Sequence, residues 1–483
     1  MLLAALRLTA AVDMIEVALT MRIKRVYEWL PAWGQNLCCS FYGRRLQHGR
    51  YGAGYAQIEN TAYAADEWSC DQLRAFQLKH LRVIIDYASQ HVPYYRDLFR
   101  SLGLTSNSIG QLEDIRAIPP LTKETVQTRL GEFVSDEIAT LNTRTIATSG
   151  TTGTGLRFPI TLDVERWQWA VLWRFRRRFG MDNATWYAHL FGRSIVPLSR
   201  RHPPFWRTNR PGKQVFFSAY HMKDDNLPYY VRELNRRRPL WIQGYPSLLT
   251  ILAHYILESG DRLQYVPEFV ATSSETLLQN QKEAIENAFG TPCRQWYGQN
   301  EAVAGISECP EGRLHVDEDL GYVEFLRNPN GTYSLVATGF HNLAFPLIRY
   351  ETGDVVRLPA AGAECPCGFG GRVVTSIDGR LEDYILRSDG QRIEGMGYIF
   401  DGVTTVREAQ LIQKRVDQVL IQIVPGQGFA RSDKSRIEAA AQRLMGETTK
   451  LELSFVKDIK RTKNGKLRLV VSELDAGKVS PLL

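Results

Sequence analysis

The segment Thr145-Ile146-Ala147-Thr148-Ser149-Gly150-Thr151-Thr152-Gly153-Thr154-Gly155-Leu156-Arg157-Phe158-Pro159 sets the terms on which the rest of the chain is read. Its eight residues from Thr148 to Gly155 hold three glycines and five hydroxyl side chains, with strand-forming residues on either side. Glycine lets a backbone turn sharply and approach a ligand closely. Successive free N–H groups in such a turn make a concave anion site, and Ser and Thr hydroxyls add rotatable donors around it. The plain alternative is a flexible turn between two strands. A P-loop of the G-x-x-x-x-G-K-[ST] kind is excluded, because no Lys follows the last Gly.

Working outward, 483 residues exceed one ordinary core, so at least two domains are expected. A hydrophobic content of 44% and a charged content of 23% are those of a globular protein. The net charge of +7 is mild for this length. Basic clusters at Arg176-Arg177-Arg178, Arg200-Arg201 and Arg236-Arg237-Arg238 read first as solvated helix faces and second as grips on phosphates. A nucleic-acid binder concentrates more charge than this on one face, so no nucleic-acid partner is expected. The first 20 residues are apolar but interrupted by Arg7, Asp13 and Glu16, short of the ~20-residue run a membrane span needs. They read as an amphipathic helix, or as sequence upstream of a start at Met14 or Met21. Seven cysteines make no secreted disulfide framework, so a cytoplasmic protein is expected.

Apolar spacing predicts helix from Glu67 to Leu102, interrupted at Val92-Pro93. Beyond the loop, a helix is expected from Asp163 to Phe179. Strands (186–191, 214–217, 240–244, 269–272) then alternate with helices (227–237, 246–259, 277–289), which argues an α/β architecture with a largely parallel sheet. From His315 the pattern turns to β, with strands at 322–326, 333–337 and 355–358 around the Asn328–Gly331 turn. The last hundred residues or so read as a small α+β unit, with strands at 418–424 and 451–456 flanking a helix at 432–445. Cys38-Cys39 read as packing residues.

Five short stretches occur in a fixed order: Thr148–Gly153, Tyr297-Gly298-Gln299-Asn300-Glu301, Tyr350–Asp354, Gly379-Arg380-Leu381-Glu382-Asp383 and Arg461–Lys466. Each is weak alone. Together they resemble the signature motifs of the adenylate-forming (acyl-activating) superfamily, from about residue 80 to the end. His91-Val92-Pro93-Tyr94-Tyr95-Arg96, the run Pro346-Leu347-Ile348-Arg349 before Tyr350, and Cys365-Pro366-Cys367-Gly368 resemble the phenylacetate–CoA ligase branch, especially its CapK-like members.

The resemblance implies a large N-terminal domain (1–379) of mixed α/β layers with a β-rich subdomain, and a small mobile α+β C-terminal domain (380–483). It implies ATP-dependent activation of a small-molecule carboxylic acid to an acyl-adenylate, then transfer to a thiol, that of CoA. On this reading Thr148, Ser149, Gly150, Thr151, Thr152 and Gly153 hold the β- and γ-phosphates. Glu301 ligates Mg²⁺, a hard cation that favours carboxylate and phosphate oxygens. Asp354 takes the ribose hydroxyls with Arg380 beside it, and Ser273, Ser274 and Glu275 form an adenine wall. Tyr297, Gly298, Gln299 and Asn300 complete the nucleotide site. Lys466, with Glu301 and Arg380, is catalytic, its cation bridging carboxylate and α-phosphate as charge develops. Glu382 is the hinge. Asn300 stands where the family has Thr, Gly155 where it has Pro, and Arg157 stands in for a Lys missing from the loop. Tyr220, His221, Tyr245 and Trp296 are candidates for the acyl pocket.

Cys309, His315, Cys365 and Cys367 are either a Cys₃His set suited to structural Zn²⁺ or four unrelated residues. Relatives in the branch carry a zinc site of this pattern, so the resemblance implies zinc. Two rivals remain beside acyl-CoA formation. One is transfer to another acceptor, such as a sugar amine, an amino acid or a carrier protein, in polysaccharide or secondary-metabolite biosynthesis. The other is a non-catalytic scaffold that kept the fold.

Overall fold

The computed structural model describes residues 25–148, 155–360, 362–363, 365–381, 384–462 and 464–474. The loop residues Ser149–Thr154, the expected hinge Glu382 and the N-terminal stretch to residue 24 lie outside them.

A nine-stranded sheet forms the centre. Its middle is parallel and runs Cys293–Gly298, Phe269–Thr272, Trp241–Gly244, Tyr187–Phe191, Gln214–Ser218. Antiparallel strands finish both edges: Trp206–Asn209 on one side, and Gly305–Glu308, Leu314–Val316 and Val373–Val374 on the other. Trp241–Gly244 and Phe269–Thr272 are buried at every position, as strands covered on both faces must be. Helices Leu227–Arg237, Pro246–Ser259 and Gln279–Phe289 connect them. Pro246 starts its helix at the first position, and Gly260 ends it in the left-handed region.

A second, antiparallel sheet contains Gly321–Arg327, Tyr333–Gly339, Tyr350–Arg357 and Ser376–Arg380. A third joins Lys450–Phe455, Gln418–Pro425, Val406–Arg415 and Val470–Ser472, packed on helix Arg431–Met445 through Val419, Ile421, Ile437 and Ala441. The expected helix at 67–102 is two, Cys70–His91 and Pro93–Leu102. Ser69 and Gln72 cap the first reciprocally, and Pro93 forces the break.

The structure corrects two readings. The basic cluster Arg176-Arg177-Arg178 at the end of helix Leu162–Arg177 is exposed at Arg177 alone. Arg174 is buried against Asp317 and Asp319 at 2.9 and 2.8 Å, Arg178 pairs with Asp66, and Arg176 is 1% exposed. Cys38 is exposed rather than packed. It lies on helix Ala32–Arg50, whose outer face also presents Trp33, Leu37 and Phe41 to solvent. No helix among the described residues is long and apolar enough to cross a membrane.

Candidate active site

The carboxyl ends of the parallel strands, the second sheet and the last α+β unit meet around a cavity of about 1020 Å³. A crevice at the carboxyl edge of a parallel sheet is the usual ligand site of open α/β folds. Thr148, Ser274, Glu275, Tyr297, Gly298, Gln299, Asn300, Glu301, Asp354, Arg380 and Lys466 all line it. Residues up to 318 positions apart in sequence, Thr148 and Lys466, thus share one space.

The hairpin before the loop pairs Thr143–Ala147 with Arg157–Thr161. Thr148 closes it twice: its N–H donates to the Leu156 carbonyl, and its hydroxyl accepts from the Leu156 N–H, each at 2.9 Å. Asn300 Nδ2 donates to the Ala147 carbonyl at 3.0 Å, tying the Tyr297–Glu301 motif to the root of the loop. Arg157 is exposed on its strand and does not line the cavity, whereas Lys123 does. Lys123 and Arg380 are the cations near Glu301.

On the floor, the Tyr297 hydroxyl donates to Asp354 Oδ2 at 2.6 Å, and Arg380 Nε lies 3.5 Å from Asp354 Oδ1. Burial, then the Asp354 charge, pushes the Tyr297 phenol well above its ordinary range, so it stays a donor. Glu301 is part-buried, and desolvation raises its carboxyl above the usual value, an arrangement that gains from a bound cation.

The chain returns from the last sheet into this cavity through Arg461–Leu467. Thr462 N–H donates to the Lys466 carbonyl at 2.9 Å, and the Lys466 N–H to Thr462 Oγ1 at 3.1 Å, which closes a tight loop. Glu275 grips it: Oε1 accepts the Leu467 N–H at 2.7 Å, while Oε2 accepts the Ser247 N–H at 3.1 Å. Arg461 adds bonds to Ser247 Oγ at 2.7 Å and to Glu408. Burial lowers the Lys466 pKa, Glu275 and Asp354 counter it, and Arg380 adds to it. The Lys466 ammonium lies 5.9 Å from the Tyr245 ring centre.

Of the acyl-pocket candidates, Trp296 lines the cavity and Tyr245 touches Lys466. Tyr220 and His221 do not line it. Tyr220 donates to the Gly192 carbonyl, and His221 stacks on Phe205. Ser247, Arg461 and Glu408 were not anticipated. Only Arg461 carried a signal, as the first residue of its motif.

Cys309, His315, Cys365 and Cys367 come together at the edge of the central sheet, with ligand atoms within 4.8 Å of one another. Cys309 Sγ lies 3.7 Å from Cys365 Sγ, and Cys367 Sγ 3.3 Å from His315 Nε2. His315 Nδ1 donates to the Gly371 carbonyl at 2.9 Å, which turns Nε2 toward the thiols. Three thiols and one imidazole nitrogen fit a tetrahedral site for a borderline-soft ion.

Residues 385–473 match the family described as the CapK C-terminal domain. Protein CapK of Staphylococcus aureus is 26% identical over 461 residues, 93% of this chain and 99% of that one. The phenylacetate–coenzyme A ligase of Aromatoleum evansii is 25% identical over 336 residues, 66% of this chain and 72% of that one. A solved 2-hydroxyisobutyryl-CoA ligase, in the postadenylation state with 2-HIB-AMP, has a TM-score of 0.66 at 17% identity, over 85% of this chain and 92% of that one. The fold is that of the adenylate-forming, AMP-forming ligases. The chain is similar to CapK over most of its length, and over about two thirds of its length to the phenylacetate–CoA ligases.

Proposed function

We propose that the protein joins a carboxylic acid to AMP and then passes the acyl group to the thiol of CoA. In the first half a carboxylate oxygen attacks the α-phosphorus of ATP, and the α–β phosphoanhydride bond breaks to release pyrophosphate. In the second half the sulfur attacks the acyl carbon, and AMP leaves. The observation that carries this reading is Lys466, which the Glu275–Leu467 bond holds in the cavity shared by Thr148, Glu301, Asp354 and Arg380.

Lys466 bridges the carboxylate and the α-phosphate, a preorganised charge placed where negative charge develops. Asp354 accepts the ribose hydroxyls, with Arg380 beside it. Loop residues Thr148–Gly153, with Lys123, hold the β- and γ-phosphates. Tyr297, Gly298, Gln299, Asn300 and Ser274 complete the nucleotide site. Glu301 is the residue to hold Mg²⁺, which when bound neutralises phosphate charge. Glu275 acts as the dock of the Lys466 loop rather than as an adenine wall. We take 1–379 and 380–483 as the two domains, with Glu382 as the hinge that frees Lys466 for the second half. Cys309, His315, Cys365 and Cys367 would hold a structural Zn²⁺ that pins the strand edge after Glu301 to the 365–371 segment. All seven cysteines are free thiols, which suits the cytosol.

Transfer to a nucleophile other than CoA is the second reading. What favours it is that similarity to CapK runs along 93% of the chain, against 66% for the CoA ligase. Pyrophosphate release from a panel of carboxylic acids, with and without CoA, tests both. CoA-dependent turnover to a thioester is expected. Acyl-AMP that accumulates unchanged in the presence of CoA selects the second reading, and no release with any acid refutes both.

A further inference from the structure

Helix Ala32–Arg50 is turned inside out. Its polar side faces the protein, where it covers Trp206–Asn209, the edge strand of the central sheet. Gln35 Oε1 accepts from the buried Arg207 Nε at 2.6 Å, and Asn36 Oδ1 accepts the Thr208 N–H at 2.9 Å. Ser40 Oγ accepts the Arg210 N–H at 3.2 Å, and Gln47 donates to the Pro211 carbonyl at 2.7 Å. Gly43 lets the helix come close, because a Cβ there would overlap the Asn209 side chain. These bonds run along most of the helix, so it cannot roll over without breaking them.

The apolar side therefore faces solvent. Trp29, Trp33, Leu37 and Phe41 follow one another at intervals of four and are 90, 68, 62 and 79% exposed. On a helix that spacing makes one stripe, and Arg45 continues it. A helix on a globular protein ordinarily buries such a stripe, and contiguous exposed apolar surface marks a docking face.

Charge decides between occupants. Arg25 precedes the stripe, Arg44 and Arg45 end it, and all three are exposed. Glu28 is the lone acidic residue of positions 25–50. The adjoining segment 199–213 contains no acidic residue and presents Arg201 and Arg210. A two-fold contact with a second copy would bring two faces of the same sign together. An anionic bilayer attracts the cations and receives the rings, and Trp and Phe beside arginines are the make-up of helices that lie in the membrane interface. We propose that this face docks the protein on an anionic lipid surface, with helix Ala32–Arg50 lying along the interface plane. The inference stands apart from the adenylation reading.

Co-sedimentation with phosphatidylcholine vesicles, with and without phosphatidylglycerol, tests it. The protein is expected to travel with the phosphatidylglycerol vesicles, to stay in solution with phosphatidylcholine alone, and to be released as salt is raised. Replacing two rings, Trp33→Ser with Phe41→Ser, is expected to weaken binding by roughly 10- to 100-fold. Arg44→Gln with Arg45→Gln is expected to weaken it by roughly 30-fold and to flatten its salt dependence. All four side chains are exposed, so the Tm of both variants, and pyrophosphate release measured without vesicles, are expected to stay as they are. If the ring variant does not fold, the arginine variant and the contrast between the two vesicles decide. No binding to phosphatidylglycerol vesicles overturns the proposal, as does binding that neither variant weakens. A dimer in solution that Trp33→Ser with Phe41→Ser dissociates gives the face to a second copy and overturns it too.

Discussion

Lys466 shows how position tunes one side chain. Burial favours its neutral amine, whereas Glu275 and Asp354 favour the cation, and burial prevails. Its pKa lies below the ordinary lysine value, so the cation is present at lower pH and is lost as pH rises through that depressed value. Pyrophosphate release should therefore fall on an alkaline limb set by Lys466, and Lys466→Arg should move the limb upward, because arginine does not titrate there. A limb that stays in place in Lys466→Arg would assign it to another group. Lys466→Ala should slow the first half by ~100–1000-fold, the scale of removing a preorganised transition-state donor. It should spare thioester formation from supplied acyl-AMP. Lys466, Asp354, Arg380 and Glu301 were legible because their motifs are short in sequence. Glu275 was legible only as a nucleotide-site residue. Its bond to Leu467 joins positions 192 apart, and no local pattern carries that. Arg176 and Arg178 were misread for a related reason: a basic run looks the same whether or not rings or a carboxylate from distant parts of the chain meet it.

At the level of elements, the Cys/His cluster joins a hairpin of the central sheet to a segment some fifty residues later. Cys309 sits where Gly305–Glu308 turns into Leu314–Val316, and Cys365 and Cys367 come from the segment before Val373. If a structural metal holds these together, the purified protein should contain zinc that a strong chelator removes with loss of Tm. Cys365→Ser should lower Tm and zinc content together, with nucleotide binding retained when cold. Zinc-free protein with unchanged Tm would make the cluster four ordinary side chains. The ligand types were readable, because few roles explain three cysteines and a histidine at these spacings. Most helices and about half of the strands were readable from periodicity too. Val406–Arg415 was not, since charged residues at its ends and an irregular register with Gln418–Pro425 blur the alternation. Cys293–Gly298 was missed because its Trp, Tyr and Gln read as a motif rather than as a strand.

The whole molecule is arranged around one approach between its halves. Gly192 follows strand Tyr187–Phe191, and its carbonyl is held by the Tyr220 hydroxyl at 2.9 Å. A Cβ on Gly192 would lie 1.7 Å from the Asn464 carbonyl oxygen, two residues before Lys466. Gly465 meets the same constraint from the other side. Its φ is +72°, and its own Cβ would lie 2.7 Å from Gly192 Cα. The two backbones can therefore touch only because neither residue has a side chain. This contact belongs to the arrangement that places Lys466 in the cavity, and a swing about Glu382 would break it. Gly192→Ala should hold the loop off by overlap with backbone, which cannot yield as a flexible side chain would. An overlap cost of ~1–3 kcal/mol corresponds to roughly 5- to 150-fold in the rate of pyrophosphate release. The same variant should form thioester from supplied acyl-AMP and CoA at nearly the unaltered rate if, as proposed, that half does not need the loop docked. Its Tm should change little, since Gly192 does not occupy the left-handed region. Equal loss in both half-reactions would mean that the glycine pair supports the cavity itself, and that the two halves of the molecule work in a single arrangement.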